Sequence, residues 1–131
     1  MKRILAIDYG LKKTGIAFFD GNLVEPLEVI RNPDQQKVVS RVCQLVDSLD
    51  VDQIILGIPE SGRLVAAIRS LGQNLLGVTN IPVKYHQETL TTQAAIDRIK
   101  LIGGSRKKRQ NEDAIAAGLL LEDFLEVNGL R

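Results

Sequence analysis

Acidic residues stand at the ends of several apolar segments in this 131-residue chain. Asp8 closes the run ILAID, Glu60 follows IILGIP, and Glu88 follows VKYHQ. Asp113 lies in NEDAIAAGLLLEDFL, a strongly apolar segment that predicts a helix with Asn111 as its N-cap. Each acid by itself is explained by an ordinary turn, loop or helix terminus. Together they supply the hard oxygen ligands that Mg²⁺ and Mn²⁺ prefer, so their chemistry depends on whether the fold gathers them.

Apolar periodicity predicts the elements that must position these acids. Strands are predicted at residues 3–8, 15–19, 23–30, 53–58 and 82–86. Pro26 places the third strand at a sheet edge, because proline cannot donate a ladder hydrogen bond. Four helices are predicted: one opened by Asn32-Pro33-Asp34 with an apolar stripe to Leu49, then residues 64–77, 90–101 and 111–127, with a basic loop beginning at 103–105. This order predicts an α/β fold with a mixed five-stranded sheet and helices on its faces.

The predicted topology brings the acids to one edge of the sheet. Strands one, four and five run parallel, so their carboxyl ends open on the edge where α/β sheets bind ligands. Asp8, Glu60 and Glu88 follow those ends, and the helix that carries Asp113 could lie over the same edge. Carboxylates gathered there would repel one another. A pair of divalent cations roughly 3.5–4 Å apart would relieve this repulsion and could stabilise both oxygens of a phosphodiester displacement.

Composition narrows the class of protein. The chain is 44% hydrophobic and 25% charged, and its length suits one domain over residues 1–131. No apolar run approaches the roughly 20 residues of a membrane span, and the N-terminus does not read as a signal peptide. The single cysteine excludes an internal disulfide and a cysteine-based zinc cluster, so a cytoplasmic protein is expected.

Positive charge is segregated along the chain, although the net charge is only +1. Lys12 and Lys13 follow the first acid, and a second basic stretch contains Arg106, Lys107, Lys108 and Arg109. Such runs are usually solvated loops, but beside a carboxylate cluster they would bind the flanking phosphates of a nucleic acid. Residues 105–110 are accordingly predicted to form a mobile loop that serves affinity rather than chemistry.

Four sequence elements, in order, resemble the YqgF family of RuvC-related nucleases with a ribonuclease H-like fold. DYGLKKTGIAF is similar to the family's opening Asp-Phe/Tyr-Gly…Gly-x-Ala element, and ILGIP to its Gly-Leu-Pro strand end. QETLTTQAA is similar to its Asp-Glu-Arg-Leu-Thr-Thr element, and EDAIAAGLLLEDFL to its Asp-x-x-Ala-Ala helix. The resemblance extends from Arg3 to Glu126. It implies a sheet of order 3-2-1-4-5 with strand two antiparallel to its neighbours and helices on both faces.

The resemblance also implies a site and a reaction. Asp8, Glu88 and Asp113 take the metal-binding catalytic positions, with Glu60 as a further candidate ligand at the rim. Metal-activated water would attack a phosphodiester and leave a 5′-phosphate and a 3′-hydroxyl, with Mg²⁺ or Mn²⁺ as cofactor. The expected partner is nucleic acid, contacted by Lys12, Lys13, Arg106, Lys107, Lys108 and Arg109.

The chain departs from the family pattern near these elements. Gln87 replaces the usual Asp, Thr89 the usual Arg, Glu60 a Leu after Gly-Ile-Pro, and Thr14 a branched apolar residue. The three core acids persist, so a working enzyme is expected, and Glu60 could restore part of the acidity lost at Gln87. His86, the only histidine, is interpreted as a strand-end side chain with a partly packed ring, and a proton-shuttling or phosphate-contacting role is the alternative.

The sequence leaves the substrate open. Processing of the ribosomal RNA precursor is favoured, with Holliday-junction cleavage in recombination or repair, and binding without cleavage, as alternatives. Stacking on single strands is disfavoured, because the chain has no Trp, two Tyr and three Phe. An actin- or hexokinase-type ATP-binding fold shares the Asp-x-Gly loop, but it needs two such domains and 131 residues supply one. A monomer would suit strand trimming, and a homodimer would suit symmetric junction cleavage.

Overall fold

A central strand with hydrogen-bonded neighbours on both sides organises the sheet in the computed structural model, which describes residues 2–31, 34–101 and 106–130. The strands are β1 (Ile4–Asp8), β2 (Lys13–Phe19), β3 (Val24–Arg31), β4 (Gln53–Gly57) and β5 (Val83–His86). The helices are α1 (Gln35–Leu49), α2 (Leu64–Thr79), α3 (Leu90–Leu101) and α4 (Arg106–Val127). The sheet order is β3-β2-β1-β4-β5, which confirms the predicted order.

The pairing of β1 sets the edge where the acids were predicted to meet. β1 pairs antiparallel with β2 and parallel with β4, and β4 pairs parallel with β5. The side chains of Ile4, Leu5, Ala6 and Ile7 have no exposed surface, as a continuous apolar run on a doubly covered strand predicts. The carboxyl ends of β1, β4 and β5 therefore open on one edge of the sheet.

Alternation along the strands divides the core into two faces. Leu5 and Ile7 belong to the cluster that contains the buried residues of α1 and α2. Ile4 and Ala6 belong to the second cluster, which contains the apolar side chains of α4. Because side chains alternate along a strand with a period of two, Asp8 continues the second series and lies on the α4 face.

Local signals set the ends of the first two helices. Asp34 caps α1, and its side chain accepts a hydrogen bond from the Lys37 N–H at 2.7 Å. Asp50 ends that helix in the left-handed conformation, with a φ of 51°. α2 runs past its predicted end near Gly77 to Thr79, where Asn80 turns left-handed. Over the residues described, no helix has the length and apolar character needed to cross a membrane.

The last helix differs most from its prediction. α4 begins at Arg106, so the prediction of a loop over residues 106–110 is wrong. The prediction of Asn111 as the N-cap is also wrong, because Asn111 lies inside the helix. Arg, Lys and Gln have high helix propensity, so the basic stretch continues the helix towards its N-terminus. The predicted start of the loop at 103–105 falls outside the described residues.

The position of β3 follows from its proline. Ile16 lies opposite Glu28, whereas Ala17 lies opposite Pro26, so the register shifts and Leu27 is the extra residue of a bulge. β3 is an edge strand, as predicted, because a residue without an N–H is tolerated where a ladder is irregular or unpaired.

Candidate active site

Glycine residues flank Asp8 on both neighbouring strands. Asp8 is the last residue of β1, and its partner on β2 is Gly15. On the other side, Ile7 pairs with Leu56, so the next position places Gly57 of β4 beside Asp8. A carboxylate on a rigid central strand thus stands between two positions that carry no side chain.

The space above Gly15 is filled by the backbone of α4. A Cβ atom on Gly15 would overlap the carbonyl oxygen of Asp113 and lie 2.6 Å from its carbonyl carbon. It would also lie 3.2 Å from the backbone nitrogen of Ala114. Only glycine permits this approach, so Gly15 allows α4 to bring Asp113 next to the strand pair that holds Asp8.

The space above Gly57 is filled by the carboxylate of Glu88. A Cβ atom on Gly57 would lie 3.2 Å from Oε1 of Glu88 and 3.0 Å from Cδ2 of Leu120. Glu88 follows the end of β5, and Leu120 belongs to α4. The missing side chain at Gly57 therefore makes room for a carboxylate one strand away from Asp8. Sequence reasoning did not identify this role of Gly57.

Asp8 and Glu88 share one small cavity. Its volume is about 220 Å³, and it opens at the carboxyl ends of β1 and β4. Its lining combines the two acids with residues that follow β1 and β4 and with residues of α2 and α3: Asp8, Tyr9, Gly10, Gly57, Ile58, Pro59, Leu64, Ile68, Glu88, Gln93 and Ile96. Two of the three predicted catalytic residues therefore line a common space.

The third carboxylate, that of Asp113, forms an ion pair with the ammonium group of Lys13. Nζ of Lys13 lies 3.7 Å from Oδ2 of Asp113, and the two side chains are 29% and 18% exposed. Lys13 was predicted to contact phosphate, and here it neutralises part of the acidity at the site. Within the described part of the chain, no three His, Cys, Asp or Glu side chains stand close enough to hold one ion together.

The oxygen ligands at this site nevertheless suit a hard divalent cation. Asp8 and Glu88 offer carboxylate oxygens at one cavity, and Gly57 leaves the space in which the Glu88 carboxylate lies. The backbone of Asp113 is fixed against Gly15, which pairs with Asp8. Mg²⁺ or Mn²⁺ suits these groups better than a metal that prefers nitrogen or sulfur ligands.

The remaining predicted site residues are Glu60, Lys12 and the basic residues at the start of α4. Glu60 is exposed and does not line the cavity, although the preceding Pro59 does. Lys12 is exposed in the turn between β1 and β2. The predicted contacts of the Arg106, Lys107, Lys108 and Arg109 side chains lie outside what the structure describes, although the backbone of these residues belongs to α4.

A second polar cluster, centred on His86 and Asp123, includes the residues on either side of Glu88 in the chain. His86 is 8% exposed and Asp123 is 7% exposed, and His86 Nε2 lies 2.6 Å from Asp123 Oδ2. The imidazole also meets the ring of Phe124 edge-on, with 5.5 Å between ring centroids. The ring of His86 is thus packed at a strand end, as interpreted, but it is also bonded to an acid that sequence reasoning missed.

Asp123 remains ionised in this buried setting. Burial raises the pKa of its carboxyl, but hydrogen bonds from His86, Thr92 and Thr89 outweigh it and hold the pKa below the usual value. A signal was present in the sequence, since Asp123 interrupts the apolar run LLLEDFL between side chains that face the core. A buried acid of this kind requires hydrogen-bond partners.

Comparison with known proteins assigns the family. The model of the family described as RuvX, Holliday junction resolvase, matches residues 2–127. The chain belongs to this family. A relative from Rickettsia canadensis, named "Putative pre-16S rRNA nuclease", is 33% identical over 132 residues, covering 95% of this chain and 86% of the relative. A relative of the same name from Streptococcus equi subsp. equi is 35% identical over 139 residues, covering 96% and 99%. Membership confirms the family resemblance and the interpretation of the chain as a nuclease.

Holliday junction resolvases of known structure share this fold. RuvC of T. thermophilus in complex with a Holliday junction substrate matches with a TM-score of 0.60 and 14% identity, over 95% of this chain and 96% of that one. The fowlpox virus Holliday junction resolvase matches with a TM-score of 0.57 and 17% identity, over 95% and 99%. These matches confirm the predicted ribonuclease H-like fold.

Proposed function

We propose that residues 1–131 form one nuclease domain that hydrolyses phosphodiester bonds of nucleic acid with the help of Mg²⁺ or Mn²⁺. The observation that carries the proposal is the placement of Asp8 between two glycines. Gly15 admits the backbone of Asp113, and Gly57 admits the carboxylate of Glu88. This arrangement supports a site in which the carboxylate of Glu88 and the backbone of Asp113 lie next to the two strands that flank Asp8.

The residues of the chain have distinct parts in this proposal. Asp8, Glu88 and Asp113 would supply ligands to a pair of such ions, and a bound pair would stabilise the attacking and leaving oxygens of the phosphate. Water adds its oxygen to phosphorus as the bond to the 3′ oxygen breaks, and the 3′ oxygen gains the proton that the water loses. Lys12 and Arg106 to Arg109 would hold the phosphates on either side, together with Lys13.

The names of the relatives support a choice of substrate more directly than the residues of the site do. Relatives at 33% and 35% identity carry a name that refers to pre-16S rRNA, so we favour the ribosomal RNA precursor, processed in the cytoplasm by a monomer or homodimer. A four-way DNA junction is the second candidate, because the family is described as Holliday junction resolvase.

A cleavage panel tests the proposal. Purified protein is incubated with labelled single-stranded RNA, precursor RNA, duplex DNA and four-way DNA, in Mn²⁺ or in EDTA. Cleavage of at least one substrate is expected in Mn²⁺ and not in EDTA. Asp8→Asn should keep the fold and abolish cleavage, while the control Asp47→Asn, on the exposed side of α1, should cleave at the parent rate. Equal cleavage by Asp8→Asn and parent would refute the assignment.

A further inference from the structure

The carboxylate of Asp123 collects hydrogen bonds from several residues of one short segment. Oδ2 lies 2.6 Å from His86 Nε2 and accepts the Thr89 N–H at 3.3 Å. Oδ1 accepts from the hydroxyls of Thr89 and Thr92, each at 3.0 Å. An ionised carboxylate only accepts hydrogen bonds, so His86 must carry a proton on Nε2. Both oxygens of Asp123 are therefore occupied by donors from residues 86–92.

These donors stand on both sides of Glu88. His86 ends β5 two residues before it, and Thr89 follows it directly. The Thr89 hydroxyl also accepts the Thr92 N–H at 3.3 Å, which caps the start of α3. The backbone that carries Glu88 is consequently tied at both ends to one carboxylate on α4.

The same helix carries the other contacts of the site. Leu120, one turn before Asp123, packs on Gly57 beside Oε1 of Glu88, and Asp113 lies farther back on α4 against Gly15. Fixing Asp123 to the Glu88 segment thus fixes the spacing between Glu88 and Asp113. In this chain Thr89, at the position where the resembled family has Arg, donates hydrogen bonds to Asp123 from its backbone N–H and its hydroxyl.

We propose that Asp123 is a positioning residue, which holds the Glu88 segment against α4 so that the Glu88 carboxylate stays beside Asp8 for divalent-cation binding. The inference rests on the proposed nuclease function and extends it to a residue outside the cavity. Stability alone is a weak reason for such a group, because well-packed apolar residues often replace buried ionic pairs without loss. A role in orientation accounts for donors that all come from the segment around Glu88.

Two graded substitutions test the proposal. Asp123→Asn replaces one acceptor oxygen with an NH₂ group, which cannot accept hydrogen bonds from the surrounding donors. Thr92→Val removes one hydroxyl while keeping the shape of the side chain. Thr92→Ser keeps that hydroxyl, and Glu126→Gln makes the same chemical change as Asp123→Asn on an exposed position of the same helix. The readouts are Mn²⁺ binding to the protein alone by electron paramagnetic resonance, the Mn²⁺ dependence of cleavage, and the melting temperature.

Loss of orientation should appear as weaker metal binding. Substitution of a residue that orients a metal ligand typically lowers metal affinity or activity by about 10- to 100-fold. Asp123→Asn should therefore raise the half-saturating Mn²⁺ concentration by roughly that factor. Thr92→Val should raise it several-fold, and saturating Mn²⁺ should restore most of the cleavage rate in both variants. Thr92→Ser and Glu126→Gln should match the parent protein.

The outcomes separate this inference from the proposed function. A parent protein that neither binds Mn²⁺ nor cleaves overturns the proposed function, and this inference with it. If the parent is active, a lower melting temperature with an unchanged Mn²⁺ requirement in Asp123→Asn overturns the inference alone. If Asp123→Asn does not fold, the comparison of Thr92→Val with Thr92→Ser tests the inference. Equal Mn²⁺ requirements of those two variants then overturn the inference.

Discussion

Replacement of Gly15 by alanine tests whether the close approach of α4 to β2 builds the site. The added methyl group would overlap the carbonyl oxygen of Asp113 and lie 2.6 Å from its carbonyl carbon. Carbon atoms in contact are normally about 3.5–4.0 Å apart, so α4 must withdraw by roughly 1 Å at Asp113. The obstacle is backbone and cannot rotate away. We therefore expect a loss of about 3 kcal/mol in the free energy of unfolding, at the upper end of overpacking effects.

Gly15→Ala should also slow cleavage, in addition to destabilising the fold. A displacement of roughly 1 Å in a catalytic group can lower a rate by about 100-fold, and Asp113, a proposed metal ligand, is the group displaced. In a domain of this size the loss of stability corresponds to a fall in melting temperature of roughly 10 °C. The assays are urea unfolding followed by circular dichroism and Mn²⁺-dependent cleavage, both measured well below the melting temperature of the variant.

Gly118→Ala provides a matched control on α4 itself. A Cβ atom at Gly118 would lie 3.8 Å from Pro26 and from Val24, which is ordinary contact. Alanine has the higher helix propensity, so this variant should gain about 0.5–1 kcal/mol and cleave like the parent. If Gly15→Ala melts and cleaves like the parent protein, α4 does not press on β2 at Asp113 and the described geometry of the site is wrong.

Three further predictions concern a buried hydroxyl, a titrating carboxyl and the basic stretch. Thr14→Val should gain about 1–2 kcal/mol in urea unfolding, because the Thr14 hydroxyl is fully buried and has no hydrogen-bond partner among the described residues; unchanged stability would mean that the hydroxyl is satisfied. Because the pKa of Asp123 is lowered in the folded state, its ionised carboxylate stabilises the fold above an unfolded-state pKa of about 3.9. This stabilisation is lost as pH falls through the lower folded-state pKa, so acid should reduce the free energy of unfolding more in the parent than in Asp123→Asn. Equal reductions in the two proteins below about pH 4 would contradict this. Alanine at residues 106–109 should weaken nucleic-acid binding and flatten its dependence on salt, and an unchanged salt slope would exclude phosphate contacts there.

Local patterns in the sequence determined most of the fold. The apolar run before Asp8 identified a doubly covered strand, Pro26 identified the edge strand, and Asp34 identified the start of α1. Each signal depends on a few adjacent residues, through side-chain periodicity or backbone chemistry, and so it is legible in the sequence alone. The candidate acids Asp8 and Glu88 were predicted for the same reason, since Asp8 ends a strand and Glu88 closely follows the end of another.

Tertiary structure decided which atoms meet. His86 and Asp123 are separated by 37 positions in the chain, and apolar periodicity could show that both lie near the core but not that they bond to each other. The role of Gly57 likewise depends on how α4 and the Glu88 segment pack over β4. Periodicity reports which face of an element is buried, whereas contacts between distant segments depend on how whole elements dock. The sequence therefore determined the elements and the candidate acids, and packing alone decided how those acids are held.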